Sequence, residues 1–347
     1  GRNEYKQLGE NSNSKDFDGE PIICPPVDSH IDISSILSYS IYSSHLVWIT
    51  KNKQAYAIGF NSGNKISSTI PTGKLDKITN IQILDKNSQK CSFLSVVCGT
   101  YYTLYLISPS TNNKTPRLAL VFQGYDNGKP LFLNTGDSYP IAIYGGRLTT
   151  ATINMDGSIL ILTEKIFKSP SSLIYPSILP NSEKAICIGC CDTSVIALSS
   201  TGRLYESKNI NDQNPPTFSI VSELQNYTFI DISGAYTHFL AVTYDGRVFA
   251  RGSNDFGQLG VGKDVKNSEK FVEVTSLNGQ NVIHASAGRF HSLFLTSEGK
   301  MLGCGRNTSG SLFLKTGNSN KAYSLPLESM ITEGASYCFA GNALSTV

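Results

Sequence analysis

The segment Ala285-Ser286-Ala287-Gly288-Arg289-Phe290-His291-Ser292-Leu293-Phe294-Leu295 returns in degraded form along the whole chain. An internal repeat constrains a fold more tightly than any single motif, because each copy must bury its faces against its neighbours. Aligned on Gly288, the same slot is held in turn by Tyr42, Gly99, Gly146, Cys191, Ala235, Gly288 and Gly341, about 44 to 57 residues apart. Seven copies result. Short alternating runs separated by Gly turns at this period predict radial repetition of four-stranded units.

Other marks keep the same phase. Seventeen residues beyond Tyr42, Ala235 and Gly288 stand Gly59, Gly252 and Gly305, each opening a Gly-x-Asn step: Gly59-Phe60-Asn61, Gly252-Ser253-Asn254 and Gly305-Arg306-Asn307. Between the two marks lies a tight turn, Asp156-Gly157, Thr201-Gly202, Asp245-Gly246 or Glu298-Gly299, flanked by runs such as Leu240-Ala241-Val242-Thr243 and Arg247-Val248-Phe249-Ala250. Such a turn between alternating runs predicts a hairpin.

Gly252-Ser253-Asn254-Asp255-Phe256-Gly257-Gln258-Leu259-Gly260-Val261-Gly262, taken with the Ala285 to Leu295 segment, resembles the paired signatures of the regulator of chromosome condensation family. The resemblance is close in the fifth and sixth repeats, fair in the first, and survives as hydrophobic pattern and turn position in the second to fourth. It implies an all-β chain, a seven-bladed β-propeller of four-stranded antiparallel blades. The expected blades are 29–88, 89–139, 140–184, 185–228, 229–281 and 282–331, with 332–347 and 1–28 sharing the last, so that the whole chain is one propeller domain. Gly59, Asn61, Gly252, Asn254, Gly257, Gly260, Gly288, His291, Gly305 and Asn307 are the expected structural positions of the repeat. One strand of the shared blade is missing from the chain and there is no initiator Met, so the sequence reads as a fragment of a longer protein.

Composition bounds the function. Net charge is +2 and the charges are scattered, which argues against direct nucleic-acid binding. No apolar run reaches the roughly 18 to 20 residues that span a bilayer, and the first residues lack the apolar core of a signal peptide, although a targeting peptide could have been cut away. Of the eight cysteines, Cys98 and Cys190 take the slot of Ala287, Cys191 that of Gly288 and Cys338 that of Ala285, while Cys304 precedes the Gly305 turn. All are places for a small buried residue, so no metal site is expected from Cys187-x-x-Cys190-Cys191. Free thiols in a large core point to a reducing compartment, cytoplasmic or nuclear. His45, His238 and His291 share one slot and read as repeat residues bonded to neighbouring turns rather than as catalysts, no cofactor-binding pattern is present, and no catalytic residue is expected.

A binding surface is legible where chemistry is not. Between the Gly slot and the His slot each repeat has a two-residue turn: Ser43-Ser44, Thr100-Tyr101, Arg147-Leu148, Asp192-Thr193, Tyr236-Thr237, Arg289-Phe290 and Asn342-Ala343. In a propeller these make one ring on a disc face. Tyr101, Arg147, Asp192, Tyr236, Arg289 and Phe290 are the candidate partner-binding residues, Tyr and Arg being enriched at interface hot spots, although any propeller face shows some residues of these types. A polar insertion, Ser108 to Pro116, is a second candidate. The expected function is a non-catalytic scaffold that binds a protein partner. The resemblance implies an alternative, a guanine-nucleotide exchange factor whose partner is a Ran-like small GTPase, but acidic residues help that face and here only Asp192 is acidic. A further role in the family, ultraviolet sensing through clustered tryptophans, is excluded because Trp48 is the only tryptophan.

Overall fold

Among the described residues the alternating runs and Gly turns become twenty-five short strands, and helix is limited to short 3-10 turns. The structure is a computed structural model. It describes residues 35–340 and 345–346, apart from 43–44, 71, 86, 109–114, 124–125, 134, 136–137, 164–175, 209, 211–215, 308–309 and 315–320. These residues form two compact units, 35–177 and 178–346.

In the N-terminal unit, β1 (Ile36–Tyr42), β2 (His45–Thr50), β3 (Ala55–Asn61) and β4 (Gly73–Ile81) form one antiparallel meander. The next comprises β5 (Ser92–Cys98), β6 (Tyr102–Ser108), β7 (Arg117–Phe122) and β8 (Leu131–Leu133). The third has three strands, β9 (Pro140–Gly145), β10 (Thr150–Asn154) and β11 (Ile159–Leu162). First strands of successive sheets pack side by side, β1 on β5 and β5 on β9.

The C-terminal unit repeats the plan. Its sheets are β12 (Ala185–Cys190), β13 (Ser194–Ser199), β14 (Leu204–Lys208) and β15 (Ser219–Ile220); then β16 (Phe229–Ala235), β17 (His238–Thr243), β18 (Val248–Ser253) and β19 (Asn267–Glu273); then β20 (Val282–Ala287), β21 (His291–Thr296), β22 (Met301–Arg306) and β23 (Ala322–Glu328). A pair, β24 (Phe339–Ala340) and β25 (Ser345–Thr346), follows. First strands again adjoin: β12 on β16, β16 on β20, β20 on β24. This is an all-β chain of propeller blades. The third sheet has three strands among the described residues, with an antiparallel bridge from Ile159 of its outer strand to Ser177, and β15 is only two residues long. Both lie where Pro-rich links replace the Gly-x-Asn step. The contribution of residues 1–28 to the last blade and most of the Ser108 to Pro116 insertion lie outside the described residues.

Apolar cores form between consecutive sheets. Leu240, Val242, Val248 and Ala250 meet Ala285, Ala287 and Phe294 of the next sheet, and Leu293, Leu295 and Met301 meet Cys338 and Ala340. Each buried Leu, Val or Phe contributes about 1.5–3 kcal/mol. Every complete first strand carries a bulge near its start, for example between Phe229 and Asp231 and between Val282 and His284. The extra residue breaks strict alternation: Val282 and Ala285, three apart, are both buried, while Ile283 between them is 46% exposed.

The Gly-x-Asn step is explained atom by atom. Gly252 has φ +119°, and a Cβ there would lie 2.1 Å from the Thr237 carbonyl oxygen; Gly305 has φ +93° and would meet the Phe290 carbonyl in the same way. The Asn then ties the loop that follows. Asn254 Nδ2 donates to the carbonyls of Gly262 (3.1 Å) and Val265 (2.6 Å), and its Oδ1 accepts from Leu259 N (2.8 Å). Asn61 repeats this with Ser67, Ile70 and Ile66, and Asn307 Oδ1 accepts from Leu312 N.

Candidate partner-binding surface

The turns between first and second strands carry the candidate residues. In the C-terminal unit, Cys191 N donates to Ser194 O (3.0 Å) to close the turn holding Asp192, and Gly288 N donates to His291 O (2.8 Å) around Arg289 and Phe290. Ala235 pairs with His238 across Tyr236 and Thr237. Tyr236 has φ +57°, a left-handed conformation that costs a residue with a Cβ about 1 kcal/mol or more. Neighbouring turns are stitched together, Asp192 N donating to Tyr236 O at 3.1 Å.

Arg289 is held over two rings, its guanidinium carbon 4.8 Å from the Tyr236 centroid and 4.5 Å from that of Phe290. Phe290 in turn contacts Tyr236 (5.8 Å) and Phe256 (4.8 Å), and Arg306 lies 5.2 Å over Phe256. All five side chains are half-buried. Each cation–π contact is worth about 0.5–1 kcal/mol at such sites. The loop bearing Phe256 is itself fixed: Phe256 N donates to Gln258 Oε1 (2.9 Å), Gln258 Nε2 to Ser253 Oγ (3.3 Å), and Ser253 Oγ to Asp255 Oδ2 (2.9 Å).

Tyr236, Arg289 and Phe290, named from the sequence, are brought together, with Asp192 in the adjoining turn. Phe256 and Arg306 were missed. Their signal was the hairpin register: His238 pairs with Gly252 and His291 with Gly305, so the loop after each Gly runs beside the turn before each His. Tyr101 and Arg147 sit in the N-terminal unit, linked through their turns by Thr100 N donating to Arg147 O (3.2 Å); Tyr101 is 49% exposed. Beneath that turn Lys65, in the slot of Gln258, donates to Thr100 O at 3.3 Å, and burial lowers its pKa. Ser43, Ser44, Asn342 and Ala343 are outside the described residues.

The slot histidines serve the core. His238 Nε2 meets Ser292 Oγ at 2.8 Å and His45 Nε2 meets Thr103 Oγ1 at 3.4 Å, each reaching the next repeat. Burial lowers their pKa, to about 3 for His238, about 4 for His291 and well below the usual value for His45, so all three are neutral. In the second repeat Tyr102 stands in the slot, donating to Gly146 O at 3.1 Å. Burial pushes the Cys98 and Cys338 thiols up to about 12 and Cys191 well above its usual value, which removes their nucleophilic form. His284, outside the slot, meets Asp231 Oδ2 through Nδ1 at 2.7 Å and the Cys338 carbonyl through Nε2 at 3.0 Å, stacked 4.5 Å from Tyr337.

Two models of the regulator of chromosome condensation repeat match the chain, one over residues 245–295 and the other over 229–258 and 282–311. Residues 229–311 carry regulator of chromosome condensation repeats. The matched residues are those of β16 to β22 and include every member of the Arg–aromatic cluster. Among relatives, it is 30% identical over 165 residues to the ultraviolet-B receptor UVR8 of Arabidopsis thaliana, covering 44% of this chain and 36% of that protein. It is 38% identical over 91 residues to the RCC2 homolog of Xenopus laevis, 26% and 17% of the two chains, and 35% identical over 95 residues to the probable E3 ubiquitin-protein ligase HERC3 of Homo sapiens, 27% and 9%. These matches therefore span little more than a third of the relatives' length, or less. Among solved structures, human WBSCR16 matches with TM-score 0.70 at 13% identity (88% of this chain, 85% of that one). Prp20p of Saccharomyces cerevisiae, whose study concerns binding to Gsp1p and histones, matches with TM-score 0.67 at 12% identity (89% and 81%). These two share the fold of the family. Among the described residues no helix is long and apolar enough to cross a membrane.

Proposed function

We propose that this regulator of chromosome condensation repeat chain is a non-catalytic interaction module that binds a protein partner through the turn surface of its C-terminal unit. The observation that carries the reading is Arg289 held over Tyr236 and Phe290 and extended through Phe256 to Arg306. Arg and Tyr are the types enriched at hot spots, and side chains fixed before binding lose little conformational entropy on association. Trp48, buried at 2% exposure and stacked on Tyr56, is part of the core and supports no light-sensing role.

The test is affinity capture with the Tyr236→Ala/Arg289→Ala protein beside the original. The double variant is expected to lose the specific partner while its thermal midpoint shifts little, because truncating an anchor costs about 1–3 kcal/mol of binding. Retention of every partner refutes the reading. Nucleotide release from a Ran-type GTPase tests the exchange-factor alternative. No appreciable acceleration is expected, because Asp192 is the only carboxylate among the candidate turn residues and the nucleotide-free GTPase exposes a basic phosphate site. Stimulation by orders of magnitude, lost in Asp192→Ala, establishes exchange instead.

A further inference from the structure

We infer that His284 is a proton-operated latch on the last strand pair: with both ring nitrogens protonated it ties the approach to β24 onto β20, and on giving up one proton it lets that approach go. Asp231, His284 and Tyr337 hold one slot in three successive repeats, and because first strands adjoin they stand in a row. His284 Nδ1 lies 2.7 Å from Asp231 Oδ2 of β16, and its Nε2 lies 3.0 Å from the Cys338 carbonyl oxygen, just ahead of β24. A carbonyl only accepts, and Asp231 Oδ2 already accepts from Ala285 N at 3.0 Å. Both contacts therefore need an N–H from the ring, and only the imidazolium supplies two. With one proton gone, one ring nitrogen turns a bare lone pair toward an oxygen. The remaining proton stays on Nδ1, since a carboxylate is the stronger acceptor, so the contact given up is the one to Cys338.

The contrast with His238 sharpens the point. That ring gives its Nε2 proton to Ser292 Oγ, whose own proton goes to the Gln258 carbonyl at 2.6 Å, and its Nδ1 has no partner among the described residues. One proton satisfies it. The side chains of His284 and Asp231 are 20% and 15% exposed, so the proton of the latch can exchange with solvent. The groups facing His284 are Asp231 from β16, and from the last segment the Cys338 thiol and Tyr337, whose ring is stacked on the imidazole. The other strands packed on β20, β17 and β21, bring His238 and His291, both neutral and at the turn end of their strands. Burial lowers the His284 pKa, but the hydrogen bond and charge of Asp231, with the Cys338 carbonyl, outweigh it and hold the value above the ordinary one. The latch is therefore closed below about pH 6.5 and opens as pH rises through the folded value. What it holds is short: β24 and β25 have two residues each. β24 is also tied by Ala340 N donating to Ser286 Oγ and by the packing of Cys338 and Ala340 on Leu293, Leu295 and Met301, so an open latch loosens the pair without freeing it.

The experiment uses the full chain, isotope-labelled for NMR, and takes two readings from about pH 6 to about pH 9, a window that spans the ordinary and the raised value. The first is the pair of His284 ring nitrogens, whose shifts give the pKa and the tautomer of the neutral form. The second is hydrogen exchange of the Ala340 amide, expressed as protection relative to the unfolded chain so that base catalysis of exchange cancels. His284 is expected to titrate above about pH 6.5 to the Nδ1–H form, and Ala340 protection to fall about tenfold along the same curve while Phe294 on β21 keeps its own. In Asp231→Asn, which keeps an acceptor for Ala285 N and loses the charge, both midpoints are expected to move together to lower pH. In His284→Gln the protection of Ala340 is expected to be independent of pH. A merely structural role changes the size of the protection and leaves its midpoint in place. Unchanged near-ultraviolet circular dichroism establishes that each variant is folded, and the two readings on the original chain decide the matter even where a variant is not. A neutral His284 protonated on Nε2, an Ala340 protection that does not follow the His284 titration, or a loss with pH that persists in His284→Gln overturns the inference.

Discussion

Asn254 holds three backbone groups at once, the half-buried carbonyls of Gly262 and Val265 and the buried N–H of Leu259, so its loss is felt well beyond one side chain. Asn254→Ala is expected to destabilise the fold by about 2–4 kcal/mol, because each orphaned buried group costs about 1–3 kcal/mol; the urea midpoint measures it, and a shift within about 0.5 kcal/mol refutes it. The histidines make a prediction with two signs. His45, His238 and His291 have lowered pKa values, so below about pH 6.5 the unfolded chain takes up protons that the folded chain refuses, and stability falls by about 1.4 kcal/mol per pH unit per group until the folded pKa is reached. His284 works the other way. Burial alone lowers its pKa, but the hydrogen bond and charge of Asp231 outweigh that and the net shift is upward; its contribution is complete below about pH 6.5 and is lost as pH rises through the folded value. Denaturation across pH 4 to 9 is expected to show His238→Gln flattening the acid limb and His284→Gln removing a loss on the alkaline side. The Gly and Asn of the Gly-x-Asn step were legible because backbone geometry admits few other residues there, and the His slot because His45, His238 and His291 keep one phase. Ser40, Ser233 and Ser286, whose hydroxyls accept from the N–H groups of Cys98, Ala287 and Ala340 in the following sheet, were not, since a lone Ser in a strand has no spacing that marks it.

Between elements, the ion pair of Glu206 on β14 with Arg251 on β18 joins two consecutive sheets, flanked by Phe239 and Phe271. Glu206→Gln is expected to cost about 3–5 kcal/mol by stranding a buried guanidinium, whereas Glu206→Leu with Arg251→Met is expected to be near neutral. A double-mutant cycle in guanidinium chloride checks this, and additive single effects refute a coupled pair. Strand order and hairpins were legible from the turn glycines: Gly157, Gly202, Gly246 and Gly299 all have positive φ. The bulges were not. A residue inserted into the first strand puts buried positions three apart, and a period-two reading skips over Leu37, Ile141, Ile186, Ile230 and Ile283, each 42% exposed or more. The short β15 follows the Pro215-Pro216 step, since Pro fixes φ and removes a ladder donor.

At the scale of the molecule, seven cysteines among the described residues are thiols outside any disulfide, and all but Cys187 are buried. A maleimide applied to the folded protein is therefore expected to label Cys187 first among them, with the others reacting only on unfolding; rapid native labelling of Cys98 or Cys304, mapped by mass spectrometry, refutes it. The candidate surface was half legible for a reason of scale as well: the turn residues share one slot in every repeat, whereas Phe256 and Arg306 reach the cluster from different loops of their repeats, after β18 and at the end of β22. The links between sheets obey a simple grammar. A Ser accepts from the next sheet at the same two slots in Ser40 and Cys98, Ser233 and Ala287, and Ser286 and Ala340; His45 and Thr103 are related as His238 and Ser292 are. A duplicated copy of the first, fifth or sixth repeat carries both halves of this link, the Ser that accepts and the N–H that donates, so an array can lengthen there without inventing a new interface, whereas Val97, Tyr144 and Gly189 hold the Ser slot in the second to fourth repeats.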